Sequence, residues 1–423
     1  MKLWIRLQLK LVNRMKVLTF CSYFEPEIAA SMYLTTNIFE DAANSGIEVE
    51  LYAPTPTRGV DKDIIDKYKK IKEETRCNGK LHIHRFSMMQ EGKNTIGRAI
   101  RYVLLNLAFV WKGLWTKADV MFIDSTPPTQ GFMAAILKKI KRIPIVYNLQ
   151  DVFPDSLVNT GICSEKSIFF KIGRWMENIT YKNADKIIAI SEDFKTNIQA
   201  KGVPDEKIEV VYNWVDENAV YHVKRENNPL FDKYKINREK FYVAYSGNVG
   251  YTQNMELLVR VADKLRDRTD IGFLIIGDGA YKDELVKMIN DYQLDNIILL
   301  PFQPYEEISN VFSIGDVGLI ISKSGVGNNS VPSKTWSYMA AETPILASFD
   351  MNSELCRIVE TNHCGICVDA DNEEKLIEAI ILMKEKKDFS FGKNGRDFID
   401  KNLSREVGTT KYIKTMVTVG GKR

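Results

Sequence analysis

The amino-acid sequence predicts an α/β protein with two doubly wound parallel sheets, one in each of two domains. Short apolar runs of strand length recur along the chain and alternate with segments of helical periodicity. A polar stretch without period, 214–238, interrupts this alternation once. The 423 residues suffice for two cores of about 200 residues each. Strands that alternate with helices form parallel sheets covered on both faces, and we expect the two sheets to face each other across a cleft.

The first domain is predicted to span residues 1–213. Its strand-length runs are 16–20, 49–52, 120–124, 143–149, 186–191 and 208–213. Most of these runs are separated by helical patterns that begin at Ser, Asp or Pro, which are residues typical of helix starts. The C-terminal end of the chain reads as helices only, and we expect residues from about 404 to 423 to cross back and complete this domain.

The second domain is predicted to span residues 214–403, beginning with the polar stretch that separates the two sheets. Its strand-length runs are 241–246, 272–277, 296–301, 316–321, 344–348 and 365–369. Ligands of open parallel sheets bind beyond the carboxyl ends of the strands. The residues that follow these runs are therefore the first candidates for a binding site.

The composition excludes several classes of function. A formal charge of +3, from 58 cations against 55 anions, is too balanced for a dedicated nucleic-acid binder. Six unevenly spaced cysteines do not form a disulfide scaffold and fit a reducing cytoplasm. Because the chain has only four histidines and no second CxxC pair, no metal site is predicted.

Two segments could contact an anionic membrane surface. Residues 1–14 place cations four apart, at Lys2, Arg6, Lys10 and Arg14, although an upstream start before Met15 explains this arm as well. The second segment is a basic stretch interleaved with aromatic residues, which a plain solvated face would also explain; its cations are Lys93, Arg98, Arg101 and Lys112. Neither segment resembles a membrane span.

Three loops of the second domain have features of a phosphate or nucleotide site. After the run 241–246, a glycine turn is expected to present free amides to an anion, with Gly247, Asn248, Gly250 and Gln253 as candidates. After 272–277, Gly277 and Gly279 permit close approach of a ligand, although a bland turn explains them equally well. Phe302 could stack on a planar base or could simply be core.

A fourth loop, 324–333, leads directly into a helix whose first residues include Lys334, the cation that the glycine turn lacks. Ser333 and the preceding proline signal a helix start, so we expect the amides near Lys334 and Thr335 to point outward without partners. A lysine in the first turn opposes the helix dipole unless an anion lies there. Lys334 is therefore predicted to bind a charged donor group, with Ser333, Thr335 and Ser337 beside it.

Polar residues also follow two strands of the first domain. Tyr23, Glu25 and Glu27 follow the first strand, and Gln150 and Asp151 follow the run 143–149. These side chains could hydrogen-bond sugar hydroxyls or orient an acceptor, while ordinary helix capping explains Glu27 as well. Asp151, Glu27 and Lys334 are the predicted catalytic residues.

Several motifs in collinear order resemble the GT-B glycosyltransferases, specifically the retaining family-four group. Within that group the chain is most similar to capsule and O-antigen enzymes described as WbuB-like N-acetyl-L-fucosaminyltransferases. The similarity covers nearly the whole chain from Met15. The motifs are YFEPE (23–27), QDVFPDS (150–156), AISEDFK (189–195), YNWVD (212–216), YSGNVGYTQN (245–254), IIGDG (275–279) and VPSKTWSYMAAETPILASFD (331–350).

The resemblance implies an acceptor-binding first domain and a nucleotide-sugar-binding second domain. It further implies transfer from a UDP-sugar, such as one carrying an N-acetylated deoxyhexosamine, with retention of configuration and without a metal or other cofactor. The implied acceptor is a saccharide linked to undecaprenyl diphosphate, at the cytoplasmic face of the cell membrane, where the protein would be peripherally bound.

The chain departs from the family pattern at five positions that carry ionisable residues in many members. Here they hold neutral polar residues, at Asn248, Gln253, Asn329, Ser337 and Gln150. Two other functions therefore stay open. One is a UDP-sugar epimerase of the same fold, and the other is a two-lobed protein that binds sugar nucleotides without catalysis.

Overall fold

The structure is a computed structural model that describes residues 14–421 except 28–31, 58, 90–94, 160–162, 326–330 and 387–389. The chain divides into two compact units. The first comprises Met1–Asn213 together with Gly408–Arg423, and the second comprises Trp214–Val407. The predicted N-terminal arm lies outside the described residues, apart from Arg14.

The first unit contains an eight-stranded sheet in the order β3-β4-β2-β1-β5-β6-β7-β8. All neighbouring strands are parallel except β3 and β4, which pair antiparallel at one edge. The strands are β1 (Lys16–Phe20), β2 (Glu48–Pro54), β3 (Glu73–Arg76), β4 (Leu81–Phe86), β5 (Val120–Asp124), β6 (Ile145–Leu149), β7 (Lys186–Ala189) and β8 (Ile208–Val210).

Helices cover both faces of this sheet. They are α1 (Met32–Asn44), α2 (Lys62–Tyr68), α3 (Thr95–Trp115), α4 (Thr129–Lys141), α5 (Asp155–Asn159), α6 (Ile168–Asn183) and α7 (Glu192–Ala200). One core joins α3, α4, α6 and α7 to one face of the sheet. On the other face, Phe122 contacts Phe39 of α1 and Tyr412 of the last helix, with ring centroids 5.5 and 5.9 Å apart.

The second unit contains a six-stranded parallel sheet in the order β11-β10-β9-β12-β13-β14. Its strands are β9 (Phe241–Ser246), β10 (Ile271–Ile276), β11 (Ile297–Leu300), β12 (Val317–Ile321), β13 (Ile345–Phe349) and β14 (Gly365–Asp369). Numbered from β9, this is the doubly wound order 3-2-1-4-5-6, whose direction reverses between β9 and β12. Ligands of such sheets bind at this switch point.

The remaining helices follow in chain order: α8 (Leu230–Lys233), α9 (Met255–Lys264), α10 (Lys282–Asp291), α11 (Ile308–Phe312), α12 (Lys334–Ala340), α13 (Glu354–Thr361), α14 (Glu373–Lys386), α15 (Ser390–Asn402) and α16 (Arg405–Gly420). From Gly408 onward, α16 belongs to the first unit, where Gly420 lies against Met15 and Val120. The predicted architecture of two parallel α/β sheets with a returning last helix is confirmed.

The edge strand β3 and its neighbour β4 were not predicted from the sequence. The stretch LHIHRF of β4 alternates apolar with charged or aromatic residues, and its polar members find partners on β2 and β3, as Arg85 does with Glu74. His84 stacks on Tyr52 with ring centroids 4.7 Å apart, and its Nε2 lies 2.6 Å from Glu50 Oε2. These contacts exist only once the strands have paired, so the polar residues concealed the strand.

Candidate functional site

Two glycine loops of the second unit pack directly against each other. A Cβ atom on Gly277 would lie 2.0 Å from the carbonyl oxygen of Gly247, and one on Gly279 would lie 2.2 Å from that of Val249. Gly247 and Gly277 also have φ values of 131° and 152°, which side chains disfavour. The glycines after β9 and β10 therefore permit backbone-to-backbone contact of the two loops.

The amides of these glycines are already used inside the protein. The prediction of free amides in the turn was therefore wrong for them, because hydrogen bonds that stabilise the loops consume the donors. In the stretch 247–250, the Asn248 amide is the one that has no acceptor among the described residues. The bonds run from Gly247 N to Ile276 O (2.9 Å), Gly250 N to Gln253 Oε1 (3.0 Å), Gly277 N to Leu300 O (3.4 Å) and Gly279 N to Asp278 Oδ1 (2.8 Å).

Lys334 places its ammonium against the first of these loops. Its Nζ lies 3.7 Å from the centroid of the Tyr245 ring, and a Cβ on Gly247 would be 3.0 Å from the same nitrogen. No carboxylate of the described residues forms an ion pair with it. Desolvation by burial lowers the pKa of Lys334 to about 7. An anion placed here would restore the charged form.

The helix start beside Lys334 differs from the prediction. Helix α12 begins at Lys334 and has only seven residues, and Ser333 makes no side-chain capping bond. The amide of Thr335 donates to Pro332 O at 2.9 Å and that of Trp336 donates to Ser333 O at 3.1 Å. The expectation of outward, unpaired amides was therefore wrong at Thr335, whose side chain is also fully buried. Ser337, one turn further on, is half-buried.

Two aspartates hold the loop that leads towards α12. Asp350 Oδ1 accepts a hydrogen bond from the amide of Gly325 at 3.0 Å, and Asp371 Oδ2 accepts one from the amide of Ser324 at 3.0 Å. Asp371 also accepts from the side chain of Asn254. The loop thus begins from a fixed point near the switch between β9 and β12. Asn329 lies outside the described residues.

Phe302, which follows β11, is 76% exposed and is not a core residue. The interpretation of Phe302 as core is therefore wrong, and the stacking role stays a prediction. Asn248 is also exposed, whereas the Gln253 side chain is engaged locally, since its Nε2 donates to Thr252 Oγ1 at 2.8 Å. Within the described part of the chain, the side chains of Asn248 and Lys334 at this sheet edge have no hydrogen bond or ion pair and could meet a ligand.

In the first unit, Gln150 belongs to a network of amides. Its Nε2 donates to Asn148 Oδ1 at 3.1 Å and to Asn213 Oδ1 at 3.2 Å, while Asn213 Nδ2 donates to Gln150 Oε1 at 2.8 Å. Tyr412 of the last helix donates its hydroxyl to Asn148 Oδ1 at 2.9 Å. A side chain bonded in this way can position neighbouring groups but carries no basic nitrogen.

Asp124, at the end of β5, completes this network and was missed in the sequence. Asn148 Nδ2 donates to its Oδ1 at 2.6 Å. Desolvation raises the pKa of Asp124 to about 6, against the opposing effect of that hydrogen bond. The available signal in the sequence was a carboxylate on the last residue of the buried strand VMFID. From the sequence, this residue was predicted only to end the strand.

Asp151 lies in the loop after β6 and is an exposed residue. The amides of Gln150 and Asp151 both donate to Ser125 Oγ, at 2.9 and 3.1 Å, and Ser156 Oγ donates to Asp151 Oδ2 at 3.1 Å. Desolvation of the carboxyl raises the pKa of Asp151. The loops after β5 and β6 thus bring Asp124, Gln150 and Asp151 to one sheet edge.

The carboxylates after β1 are engaged in holding loops together. Glu27 is only 3% exposed; its Oε1 accepts from the amide of Thr57 at 2.7 Å and its Oε2 from that of Phe24 at 3.2 Å. Glu25 pairs with Arg76 at 2.8 Å. The hydrogen bonds of Glu27 hold the loop after β2 in place, and its catalytic role stays a prediction.

Tyr23 lies against helix α3. Its hydroxyl is 3.1 Å from that of Tyr102, and the guanidinium carbon of Arg101 lies 5.4 Å from its ring centroid. Arg101 is 1% exposed and donates to the carbonyl of Met89 at 3.1 Å. The prediction that Arg101 faces a membrane is therefore wrong. Lys93 and the side chain of Arg98 lie outside the described part of the chain.

Two family models match adjacent parts of the chain. The model described as glycosyltransferase family 4 matches residues 34–219, and that described as glycosyl transferases group 1 matches residues 226–398. The first falls on the first unit and the second on the switch-point loops of the second unit. With the two parallel α/β sheets, these matches define the chain as a glycosyltransferase of the GT-B fold, similar to group 1 and family 4.

Curated relatives are consistent with this class. The probable glycosyltransferase WbjE of Pseudomonas aeruginosa is 25% identical over 70% of this chain and 74% of its own length. The putative colanic acid biosynthesis glycosyl transferase WcaI of Escherichia coli is 25% identical over 66% and 69%. N-acetylgalactosamine-N,N'-diacetylbacillosaminyl-diphospho-undecaprenol 4-alpha-N-acetylgalactosaminyltransferase of Campylobacter jejuni is 23% identical over 51% and 54%.

A solved structure supports the fold. The Anabaena protein Alr3699/HepE in complex with UDP superposes with a TM-score of 0.71 at 15% identity, covering 96% of this chain and all of that one. At this identity the similarity concerns the fold alone.

Proposed function

We propose that this protein transfers a sugar from a UDP-sugar to a lipid-linked saccharide acceptor during synthesis of a bacterial surface polysaccharide. The names of the relatives support this: WcaI is ascribed to colanic acid biosynthesis, and the Campylobacter enzyme acts on a diphospho-undecaprenol saccharide. The Anabaena structure contains UDP. The acceptor would be borne on undecaprenyl diphosphate at the cytoplasmic face of the cell membrane.

The observation that carries the proposal is the Lys334 ammonium at the switch point of the second sheet. It lies on Gly247 and the Tyr245 ring, and no described carboxylate pairs with it. Burying a lysine ammonium without a compensating negative charge costs free energy, which is unfavourable for a residue with only a structural role. A diphosphate bound against it would supply the missing negative charge.

Lys334 would act chiefly on the leaving group. When the sugar bond breaks, the nucleoside diphosphate gains negative charge, and a positioned ammonium stabilises that charge in the transition state. Removal of such a contact typically slows a reaction about 100- to 1000-fold. Asn248 would add an exposed amide beside the phosphates, and Phe302 an aromatic surface for the uracil ring. Metal ions are not required in this scheme.

On the acceptor side, we assign roles to the residues at the edge of the first sheet. Asp151 would accept a hydrogen bond from the attacking hydroxyl, and Gln150, held by Asn213, would orient the sugar ring. Asp124 would support this arrangement through Asn148. If the leaving phosphate takes the proton of the acceptor hydroxyl, that hydroxyl must attack the anomeric carbon from the face that the phosphate leaves. The anomeric configuration would then be retained, and no basic side chain would be needed. The N-acetylated deoxyhexosamine donor is proposed from the family resemblance.

A thermal-shift panel of UDP, GDP and ADP tests the nucleotide. A ligand present at 100 times its Kd adds about 2.7 kcal/mol to the free energy of unfolding, so we expect UDP alone to raise Tm clearly. Transfer is then followed as UDP release with a lipid-linked acceptor. Release of UDP only when an acceptor is present distinguishes a transferase from an epimerase, which changes the donor alone, and from a binding protein, which releases none.

Lys334→Ala tests the assigned residue. We expect kcat/KM to fall at least about 100-fold. Lys375→Ala, which removes an exposed lysine of the same unit paired with Asp369, is the matched control and should leave the rate unchanged. A Lys334→Ala enzyme with more than a third of the wild-type kcat/KM would contradict the assignment.

A further inference from the structure

The first unit exposes a broad apolar face on three helices that pack side by side, α3, α4 and α6. More than half of the large apolar side chains exposed in the described part of the chain lie on these helices. Trp115 and Phe169 are 73% and 74% exposed. Patches of this kind on soluble domains mark interaction sites. We call this surface the three-helix face.

The apolar residues of the face run along α3 and bridge α4 and α6, which pack side by side with it. On α3, Leu107, Trp111 and Trp115 follow one another at helical spacing, and the two indole rings lie 5.7 Å apart. Between α4 and α6, the rings of Phe132 and Trp175 contact each other with centroids 5.2 Å apart. The inner sides of the same helices share one core with the sheet. The outer residues are therefore not needed to close that core.

The charges of the three helices have one sign. Their sequences contain a single acidic residue, Glu177, which is buried and paired with Arg174 and Lys201. Exposed cations remain on two of the helices in the described part of the chain, at Lys139, Lys171 and Lys182. A surface that combines aromatic side chains, aliphatic side chains and lysines without exposed carboxylates complements anionic lipid headgroups over an apolar interior.

We propose that the three-helix face docks on an anionic lipid bilayer, with Trp111, Trp115 and Phe169 entering the headgroup region. No helix in the described part of the chain is both long enough and apolar enough to cross a bilayer. The docking is therefore interfacial. The inference deepens the proposed function and rests on it for the lipid-borne acceptor, while membrane binding itself can be measured separately.

Flotation of the full chain with vesicles tests the inference. We expect binding to phosphatidylcholine vesicles that contain phosphatidylglycerol, and much weaker binding to phosphatidylcholine alone. Each lysine near an anionic surface contributes about fivefold to partitioning, so reversal of two, Lys139→Glu with Lys171→Glu, should reduce binding at least about 25-fold. The double variant Trp111→Ser with Phe169→Ser should also stay in solution.

Matched changes on the second unit serve as controls. Lys287→Glu and Tyr292→Ser, both at exposed positions, should bind vesicles as the wild type does. A cooperative thermal unfolding transition with a Tm close to that of the wild type should persist in every variant, which shows that the variants fold. A wild-type protein that stays in solution with anionic vesicles would overturn the inference. So would a dimer in light scattering that the Trp111→Ser and Phe169→Ser changes dissociate, since a second copy would then cover the face.

If vesicles bind but UDP gives no thermal shift, the proposed nucleotide specificity fails while the docking inference stands. The opposite result removes the docking surface and leaves the proposed transfer reaction intact. The two proposals can therefore be judged independently.

Discussion

The lowered pKa of Lys334 predicts that nucleotide binding depends on pH. In the free protein burial lowers the pKa of this ammonium to about 7, whereas a bound diphosphate would hold the proton on. About 90% of Lys334 is then charged at pH 6 and about 10% at pH 8. If only the charged form binds tightly, Kd for UDP rises about tenfold from pH 6 to pH 8, equal to about 1.4 kcal/mol.

Isothermal titration calorimetry measures both the affinity and the protons exchanged. At pH 8, binding should take up about 0.9 proton per UDP, and at pH 6 about 0.1. Titrations in two buffers with different ionisation enthalpies separate this uptake from the intrinsic heat. The terminal phosphate of UDP also titrates near pH 6, so the Lys334→Met variant supplies the baseline for the nucleotide itself.

The difference between wild type and Lys334→Met therefore reports on the lysine. Lys334→Arg should bind UDP without the wild-type loss of affinity above pH 7, because a guanidinium stays charged. The reasoning is refuted if wild type and Lys334→Met show the same proton uptake at pH 8. Equal uptake would mean that the Lys334 ammonium does not face the diphosphate.

Three further predictions concern stability. Gly277→Ala should lower the free energy of unfolding, measured in urea, by about 3 kcal/mol, because the added Cβ would lie 2.0 Å from the Gly247 carbonyl oxygen. A loss below about 0.5 kcal/mol would mean that the two loops can move apart freely. Burial raises the pKa of Asp124 to about 6, so the folded protein binds more protons than the unfolded chain between pH 4 and 6. The free energy of unfolding should therefore fall as pH rises through this window, by about 1–2 kcal/mol after allowance for partial exposure. Asp124→Asn should abolish this fall. Tyr412→Phe should cost about 1 kcal/mol through loss of the hydrogen bond to Asn148, as read from chemical denaturation, and an unchanged midpoint would argue against that bond.

Local pattern predicted the regular part of the fold well. Every strand predicted from an apolar run has a counterpart in the structure. The signal is strongest in strands such as β6 and β10, which are buried throughout and therefore nearly continuously apolar. The strand β4 escaped detection because its polar residues are satisfied by neighbours such as Glu50 and Tyr52. The edge strand β3 has only exposed and half-buried residues, so its sequence is less constrained.

The candidate site was predictable where a residue conflicted with a local rule. A lysine in the first turn of a helix opposes the dipole, and this conflict identified Lys334. The glycines were recognised as a turn, but their purpose was misjudged. A glycine can leave an amide free for a ligand, or it can make room for a neighbouring backbone. The three-dimensional neighbours decide between these roles, as at Gly277, where an added Cβ would lie 2.0 Å from the carbonyl oxygen of Gly247.

The amino-acid sequence by itself determined the two parallel sheets, the loops at their carboxyl ends and the cation beside the glycine turn. These features follow from periodicity and from backbone preferences that act over a few residues. Only the tertiary structure decided which donors stay free, that Asp124 joins the Gln150 network, and that an apolar face remains uncovered. Such properties depend on groups far apart in the chain, because burial and hydrogen bonding are settled when those groups meet.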